Sequence, residues 1–319
     1  MTYVLLIIGF ALLIKGADFF VEGASQIARK LHVSPLLIGL TIVAFGTSSP
    51  EATVSIVAAL EESAGVSIGN VVGSNIFNIT LVVGLTAFLN PLRVKRETIR
   101  KQIPFTLLAG IAFLVLISDV SLQSMAENLL TRSDGLIFLL FFAIFLYYLF
   151  EVARTSKDEH SENTDSKTNS WGKNIALTIG GLAAIIFGGE LVVNNTTDIA
   201  ISFGMSETMV GLTIVAIGTS LPELITSVTA AIKKESEIAV GNIVGSNIFN
   251  ILLVLGASSV ISPLTVDNQV FTDAILMIVL TGVLLIFSRT NYRIGKTEGI
   301  ILVAAYVLYM VYVIMRNMI

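Results

Sequence analysis

The chain has 319 residues, 54% of them hydrophobic and 13% charged, with a mean hydropathy of +0.86 and a net charge of -4. A soluble chain so poor in charge could not keep this much apolar surface from water, so the class is a polytopic α-helical membrane protein. There are no cysteines and only two histidines, His32 and His160, both in loops; disulfides, thiolate metal sites and cysteine nucleophiles are excluded.

Taken in chain order, ten spans are expected at roughly 3–22, 34–60, 66–90, 102–119, 134–152, 173–193, 206–231, 238–261, 270–288 and 297–315. The apolar runs are continuous, unlike the alternating segments of a membrane β-barrel. Span 1, MTYVLLIIGFALLIKGADFF, lacks a basic leader and a small-residue cleavage site and reads as a retained helix. Asp18 near its end is expected to pair with Lys15 one turn earlier.

Span 2 contains TIVAFGTSSPE, Thr41 to Glu51. Pro50 has no N–H, so the Gly46 carbonyl loses its helical partner. The kink also disturbs the Thr47 carbonyl, and both oxygens lie one turn before Glu51. Thr47 and Ser48 add hydroxyls. Span 3 carries GNVVGSNIFN, in which Ser74 and Asn78 are four residues apart and share a helix face. Gly69 and Gly73 permit close helix approach. Asn75 points off that face and reads as packing, and Asn70, early in its helix, reads as a cap. After span 5, RTSKDEHSENTDSKTNS (Arg154 to Ser170) is the one long polar stretch and reads as a flexible linker.

Beyond the linker the sequence repeats. With a shift of 172, Thr41–Ala59 matches Thr213–Ala231 at 12 of 19 positions, and Gly69–Gly84 matches Gly241–Gly256 at 13 of 16. The chain is therefore a duplication. Thr219, Ser220, Pro222 and Glu223 repeat the broken motif of span 2. Ser246 and Asn250 repeat Ser74 and Asn78, while Asn242, Asn247 and Glu190 match Asn70, Asn75 and Asp18.

Five spans per half is an odd number, so the second half must enter the membrane in the opposite sense. Loops after the odd-numbered spans carry sixteen Lys or Arg, whereas the other side carries two, Arg132 and Arg316. The positive-inside rule puts both termini outside and the linker in the cytoplasm. The expected organisation is a first five-helix repeat over 1–153, a cytoplasmic linker over 154–172 and a second, inverted five-helix repeat over 173–319.

Inverted repeats with interrupted helices at matching positions mark the binding site of a transporter. An ionised glutamate at mid-membrane costs at least a few kcal/mol, so Glu51 and Glu223 need a compensating cation. Carboxylates, carbonyls, hydroxyls and amides suit a hard ion such as Ca2+, and Na+ can use the same oxygens. No nucleophile–base pair, histidine metal set or phosphate loop is present, so an enzyme is not expected; nor is a cofactor or a nucleic-acid partner. A cation channel is disfavoured because channels gather a ring of subunits, whereas here the repeat lies within one chain.

The paired GTSxPE and GSNIFN elements resemble the α-repeats of the cation/calcium exchanger superfamily, and most of all its prokaryotic sodium/calcium exchangers. The resemblance covers the whole chain. It implies a central diamond of spans 2, 3, 7 and 8, with spans 1 and 6 outside it and sliding to alternate access. It implies ion ligands at Thr47, Ser48, Glu51, Ser74 and Asn78, at Thr219, Ser220, Glu223, Ser246 and Asn250, and through backbone oxygens at Ala44 and Ala216. It also implies exchange of three Na+ for one Ca2+ across the cell (inner) membrane, with a monomer sufficient. Potassium-dependent relatives typically have aspartate where this chain has Asn250, and proton/calcium relatives usually have GN where it has GT. Those two activities stand as the alternatives.

Overall fold

In the computed structural model, which describes residues 2–159, 170–204 and 216–318, long apolar helices make up nearly all of the chain. They are α1 (Thr2–Leu31), α2 (Pro35–Thr47), α3 (Ser49–Leu60), α4 (Ala64–Leu89), α5 (Thr98–Leu116), α6 (Arg132–Glu159) and α7 (Trp171–Ser202). Beyond the gap follow α8 (Ala216–Thr219), α9 (Leu221–Ile232), α10 (Ser236–Ile261), α11 (Asn268–Arg289) and α12 (Lys296–Met318). Among the described residues, eight of these helices are long and apolar enough to cross a membrane, and the bent pair α2–α3 makes a ninth. The opening part of the expected span 7, 206–215, lies outside the described residues, as do 160–169 of the expected linker.

Burial separates centre from periphery. In their most apolar windows, 94% of α10 and 78% of α4 are buried, against 17–39% for the other long helices. Side chains such as Leu140, Phe150, Phe187 and Leu308 stand exposed on those outer helices, an arrangement stable only in lipid. The core runs through α2, α3, α4, α9 and α10, which pack on one another.

Helices α1 and α7 lie along each other beside those helices, and their inner faces join the core through Leu13, Phe20 and Ile185. Their seam is made of glycines. A Cβ on Gly16 would stand 2.9 Å from the Gly181 carbonyl oxygen, and one on Gly181 would stand 2.7 Å from the Gly16 oxygen, so the two backbones touch. Both helices run about nine residues past the ends that hydropathy predicts, 22 and 193. The extra turns of α1 bury Gly23, Ala24, Ile27 and Ala28, so packing rather than lipid sustains them. Helix α6 continues to Glu159 and α7 begins at Trp171, so helical structure enters the expected linker, 154–172, from both ends. Once a helix is nucleated, the permissive polar run after Ala153 extends it one hydrogen bond at a time.

Four two-residue strands tie the loops at the helix ends. β1 (Leu92–Arg93) pairs antiparallel with β4 (Arg293–Ile294), and β2 (Leu129–Leu130) with β3 (Leu264–Thr265). Each ladder joins a loop of one half to a loop of the other.

Candidate functional site

The break forms where proline predicts it. Helix α2 ends at Thr47 and α3 starts at Ser49, at an angle of 48°. Ser48 between them has φ -82° and ψ 6°, and Ser220 between α8 and α9 has φ -91° and ψ 4°. Pro50 and Pro222 occupy the first turn of α3 and α9, where a missing N–H costs nothing. Glu51 and Glu223 fall in the same first turns, where the positive end of the helix dipole favours a carboxylate. Both are fully buried.

The two halves exchange partners at this point. Ser48 donates to Glu223 Oε1 (2.9 Å) and Ser220 donates to Glu51 Oε1 (2.8 Å). Ser220 Oγ also lies 3.0 Å from Ser74 Oγ, and Ser246 donates to Glu223 Oε1 at 3.5 Å. Ser48, Glu51, Ser74, Ser220, Glu223 and Ser246 are thus joined in one buried cluster, and Asn78 and Asn250, also buried, lie one helical turn after Ser74 and Ser246. Each carboxylate spends one oxygen on the serine of the other half. The second oxygens, Glu51 Oε2 and Glu223 Oε2, are buried with no hydrogen-bond donor, and so are Asn78 Oδ1 and Asn250 Oδ1. Buried acceptors are rarely left unpaired, and here the same two positions are unpaired in both halves.

The threonine hydroxyls meet asparagines of the other half. Thr47 Oγ1 bonds Asn242 Oδ1 at 2.9 Å, and Thr219 Oγ1 bonds Asn70 Oδ1 at 3.4 Å. Ala44 is buried and its carbonyl accepts from Ser48 N–H at 3.0 Å and from Thr47 Oγ1 at 3.5 Å. Ala216 opens α8, and its side chain lies outside the described residues.

Asn70 and Asn242 are not caps, as their early helix positions predict. Asn70 donates to the Glu51 carbonyl (3.1 Å) and to Ser55 Oγ (2.9 Å). Asn242 donates to the Glu223 carbonyl (3.5 Å) and to Ser227 Oγ (3.0 Å). Each pins the helix that carries a carboxylate to the helix that follows it. The spacing of nineteen residues from Glu to Asn is identical in both halves and was the available signal. Asn75 and Asn247 are buried, as expected of packing residues, but they pack through hydrogen bonds between α4 and α10.

Sequence reasoning also missed the wide turns. Besides Gly39–Val43 and Thr98–Gln102, the α-helical ladder gives way to π geometry at Asn78–Val82 and at Asn250–Leu255, and these two begin on repeat-matched asparagines. Such turns are frequent at functional sites. In the first, the Thr80 hydroxyl takes the Ile76 carbonyl. No such hydroxyl exists at Leu252, so the two wide turns lack a common side-chain signature.

Among the described residues, no group of three or more His, Cys, Asp or Glu comes together. The donor set is two carboxylates diluted by neutral oxygens, which suits an ion that must leave again. A cavity of about 380 Å³ beside α2 is lined by residues such as Leu40, Phe45, Phe142 and Phe249 and carries no carboxylate, so it is not the ion site.

The profile of the family described as sodium/calcium exchanger protein matches residues 1–151 and 173–315. CaxA of Alkalimonas amylolytica is 40% identical over 316 residues, covering 96% of each chain. The sodium/calcium exchanger MaX1 of Methanosarcina acetivorans is 34% identical over 341 residues, covering 97% of each. Among solved structures, the sodium-calcium exchanger NCX_Mj soaked with 10 mM Na+ and zero Ca2+ superimposes with a TM-score of 0.84 at 33% identity. That match covers 97% of this chain and 98% of that one.

Proposed function

Because the chain belongs to the sodium/calcium exchanger family, we propose that it is a secondary antiporter that exchanges Na+ for Ca2+ across the cell (inner) membrane by alternating access. In this reading ten spans form two inverted five-helix repeats, 1–153 and 173–319, about the linker 154–172, with both termini outside. The sixteen-to-two distribution of Lys and Arg supports that orientation. One chain supplies both halves of the site, so a monomer suffices.

One observation carries the proposal: Glu51 Oε2, Glu223 Oε2, Asn78 Oδ1 and Asn250 Oδ1 are buried acceptors that no donor meets. A cation between the halves supplies the missing partner. One Ca2+ balances both carboxylates. Hydroxyls of Ser48, Ser74, Ser220 and Ser246, with carbonyls of Thr47, Thr219, Ala44 and Ala216, complete a flexible oxygen shell of the kind Ca2+ takes. Na+ ions draw on the same oxygens, so neither load can bind while the other does, and the outcome is exchange rather than co-transport. Three Na+ against one Ca2+ moves one net charge per cycle, worth about 2.3 kcal/mol per 100 mV. Asn250 is neutral, which supports independence from K+.

The test uses proteoliposomes loaded with Na+ and diluted into Na+-free medium with radiolabelled Ca2+, at one pH on both sides. Ca2+ uptake is expected, unchanged by K+ and faster when the vesicle interior is made positive. Uptake that needs a pH gradient instead would make the protein a H+/Ca2+ exchanger. Uptake that needs K+ would place it with the potassium-dependent branch.

A further inference from the structure

A carboxamide has two nearly identical ends with opposite chemistry: its oxygen accepts and its NH2 donates. Turned one way, Asn78 and Asn250 offer a cation two oxygens. Turned over, they would aim N–H groups at the carboxylates and take the cation's place. Something must select between these orientations, because the side chain occupies much the same space in both.

The selector sits three residues earlier in the opposite half. Asn78 Nδ2 donates to Asn247 Oδ1 at 3.2 Å, and Asn250 Nδ2 donates to Asn75 Oδ1 at 3.2 Å. Asn75 Nδ2 in turn donates to the Asn247 carbonyl at 3.3 Å, which anchors one selector to the backbone that carries the other. Asn75, Asn78, Asn247 and Asn250 are at most 1% exposed, so water does not compete for these bonds. With each NH2 committed across the interface, Asn78 Oδ1 and Asn250 Oδ1 are left without a donor, in the same state as the second oxygens of Glu51 and Glu223.

We infer that Asn75 and Asn247 are positioning residues that hold Asn250 and Asn78 oxygen-first, so that a cation and not an amide hydrogen meets the carboxylates. They touch no ion themselves. Each acts through the asparagine of the other half, which also ties the two halves of the site together. The inference rests on the reading of Asn78 and Asn250 as ion ligands.

A double-mutant cycle on Na+-driven Ca2+ uptake tests it, with the full chain in proteoliposomes. Asn78→Ala is expected to raise the KM for Ca2+ about tenfold, and Asn247→Ala by a similar factor, both with a smaller change in turnover. The double variant should lie within about twofold of Asn78→Ala alone, because a residue that acts only through Asn78 has nothing left to position. A purely structural role predicts instead that the two effects multiply. Multiplying effects, or an unchanged KM in Asn247→Ala, would overturn the inference while leaving the ligands in place. An unchanged KM in Asn78→Ala would remove the ligand assignment and the inference with it. Asn250→Ala and Asn75→Ala form a second copy of the cycle, which decides the question if Asn247→Ala does not fold.

Discussion

Ser48 reaching Glu223 is answered, 172 residues on, by Ser220 reaching Glu51, whereas Lys233 reaching Asp18 has no counterpart. The centre of the bundle repeats several of its bonds in pairs: Asn70 holds Ser55 as Asn242 holds Ser227, and Thr47 meets Asn242 as Thr219 meets Asn70. One rim does not. There Arg29 meets Glu235 (2.9 Å), Lys233 meets Asp18 (2.7 Å) and Lys95 meets Glu237 (2.8 Å). Shifted by 172, these couples become Ile201 with Ser63, Glu61 with Glu190, and Asp267 with Gly65. None joins opposite charges. Asp267 Oδ2 stands 3.9 Å from where a Cβ on Gly65 would be, so that corner keeps its geometry and loses its attraction. An ion held between two halves needs ligands from both, which keeps the centre alike. The rim has no such constraint, and its cations, Arg29, Lys95 and Lys233, are among the sixteen Lys or Arg in loops after the odd-numbered expected spans.

The comparison is broken most directly at the carboxylates. Glu51→Gln and Glu223→Gln are each expected to abolish Na+-driven Ca2+ uptake, and to equal degree, since each acid accepts from the serine at the helix break of the other half. Uptake that survives in one variant and not the other would mean that the two halves are not equivalent. The asparagines that brace the carboxylates come next. Asn242→Ala strands Ser227 Oγ in a fully buried setting and should cost about 1–3 kcal/mol of stability. Asn70→Ala should cost less, because Asn70 is only partly buried. Thermal unfolding in detergent separates the two; equal losses would show that burial does not set the cost.

Much of this centre was legible in the sequence. Pro50 and Pro222 announce the breaks because a missing N–H is a local fact, and two costly acids at matching positions announce the site. The bonds that orient the ligands were not legible. Which way Asn75 faces depends on how α4 meets α10, and nothing within either helix encodes that angle. The wide turns at Asn78 and Asn250 were hidden for a similar reason: they change the helix ladder without a consistent change of residue type. Asp18 shows the same limit at the rim. Sequence spacing offers Lys15, one turn away, yet the partner is Lys233 from the other half. Asp18 lies partly buried on the side of α1 that meets α9, while Lys15 is exposed.

The rim gives the smallest effects and the sharpest contrast. Exposed ion pairs are worth about 0–1 kcal/mol each, so no single one holds the fold together. They can still bias access. Helix α1 joins the core helices at this rim through Asp18, Ser25 and Arg29, with Ser25 donating to Glu235 at 2.7 Å. If α1 and α7 slide during transport, these bonds must part on one side of the membrane, and among the described residues the repeat-matched positions offer no such ion pair to part on the other. Lys233→Glu gives this rim the acid pair of the opposite one, Glu61 with Glu190. It is expected to narrow the difference in apparent Ca2+ affinity measured from the two faces, with little loss of maximal rate. Pairing it with Asp18→Lys should restore the difference, since the charges are then only swapped. Asp18→Asn alone should leave uptake largely intact, and its coupling to Lys233→Gln should not exceed about 1 kcal/mol. A larger coupling would make this pair part of the transport gate rather than a weak bias upon it.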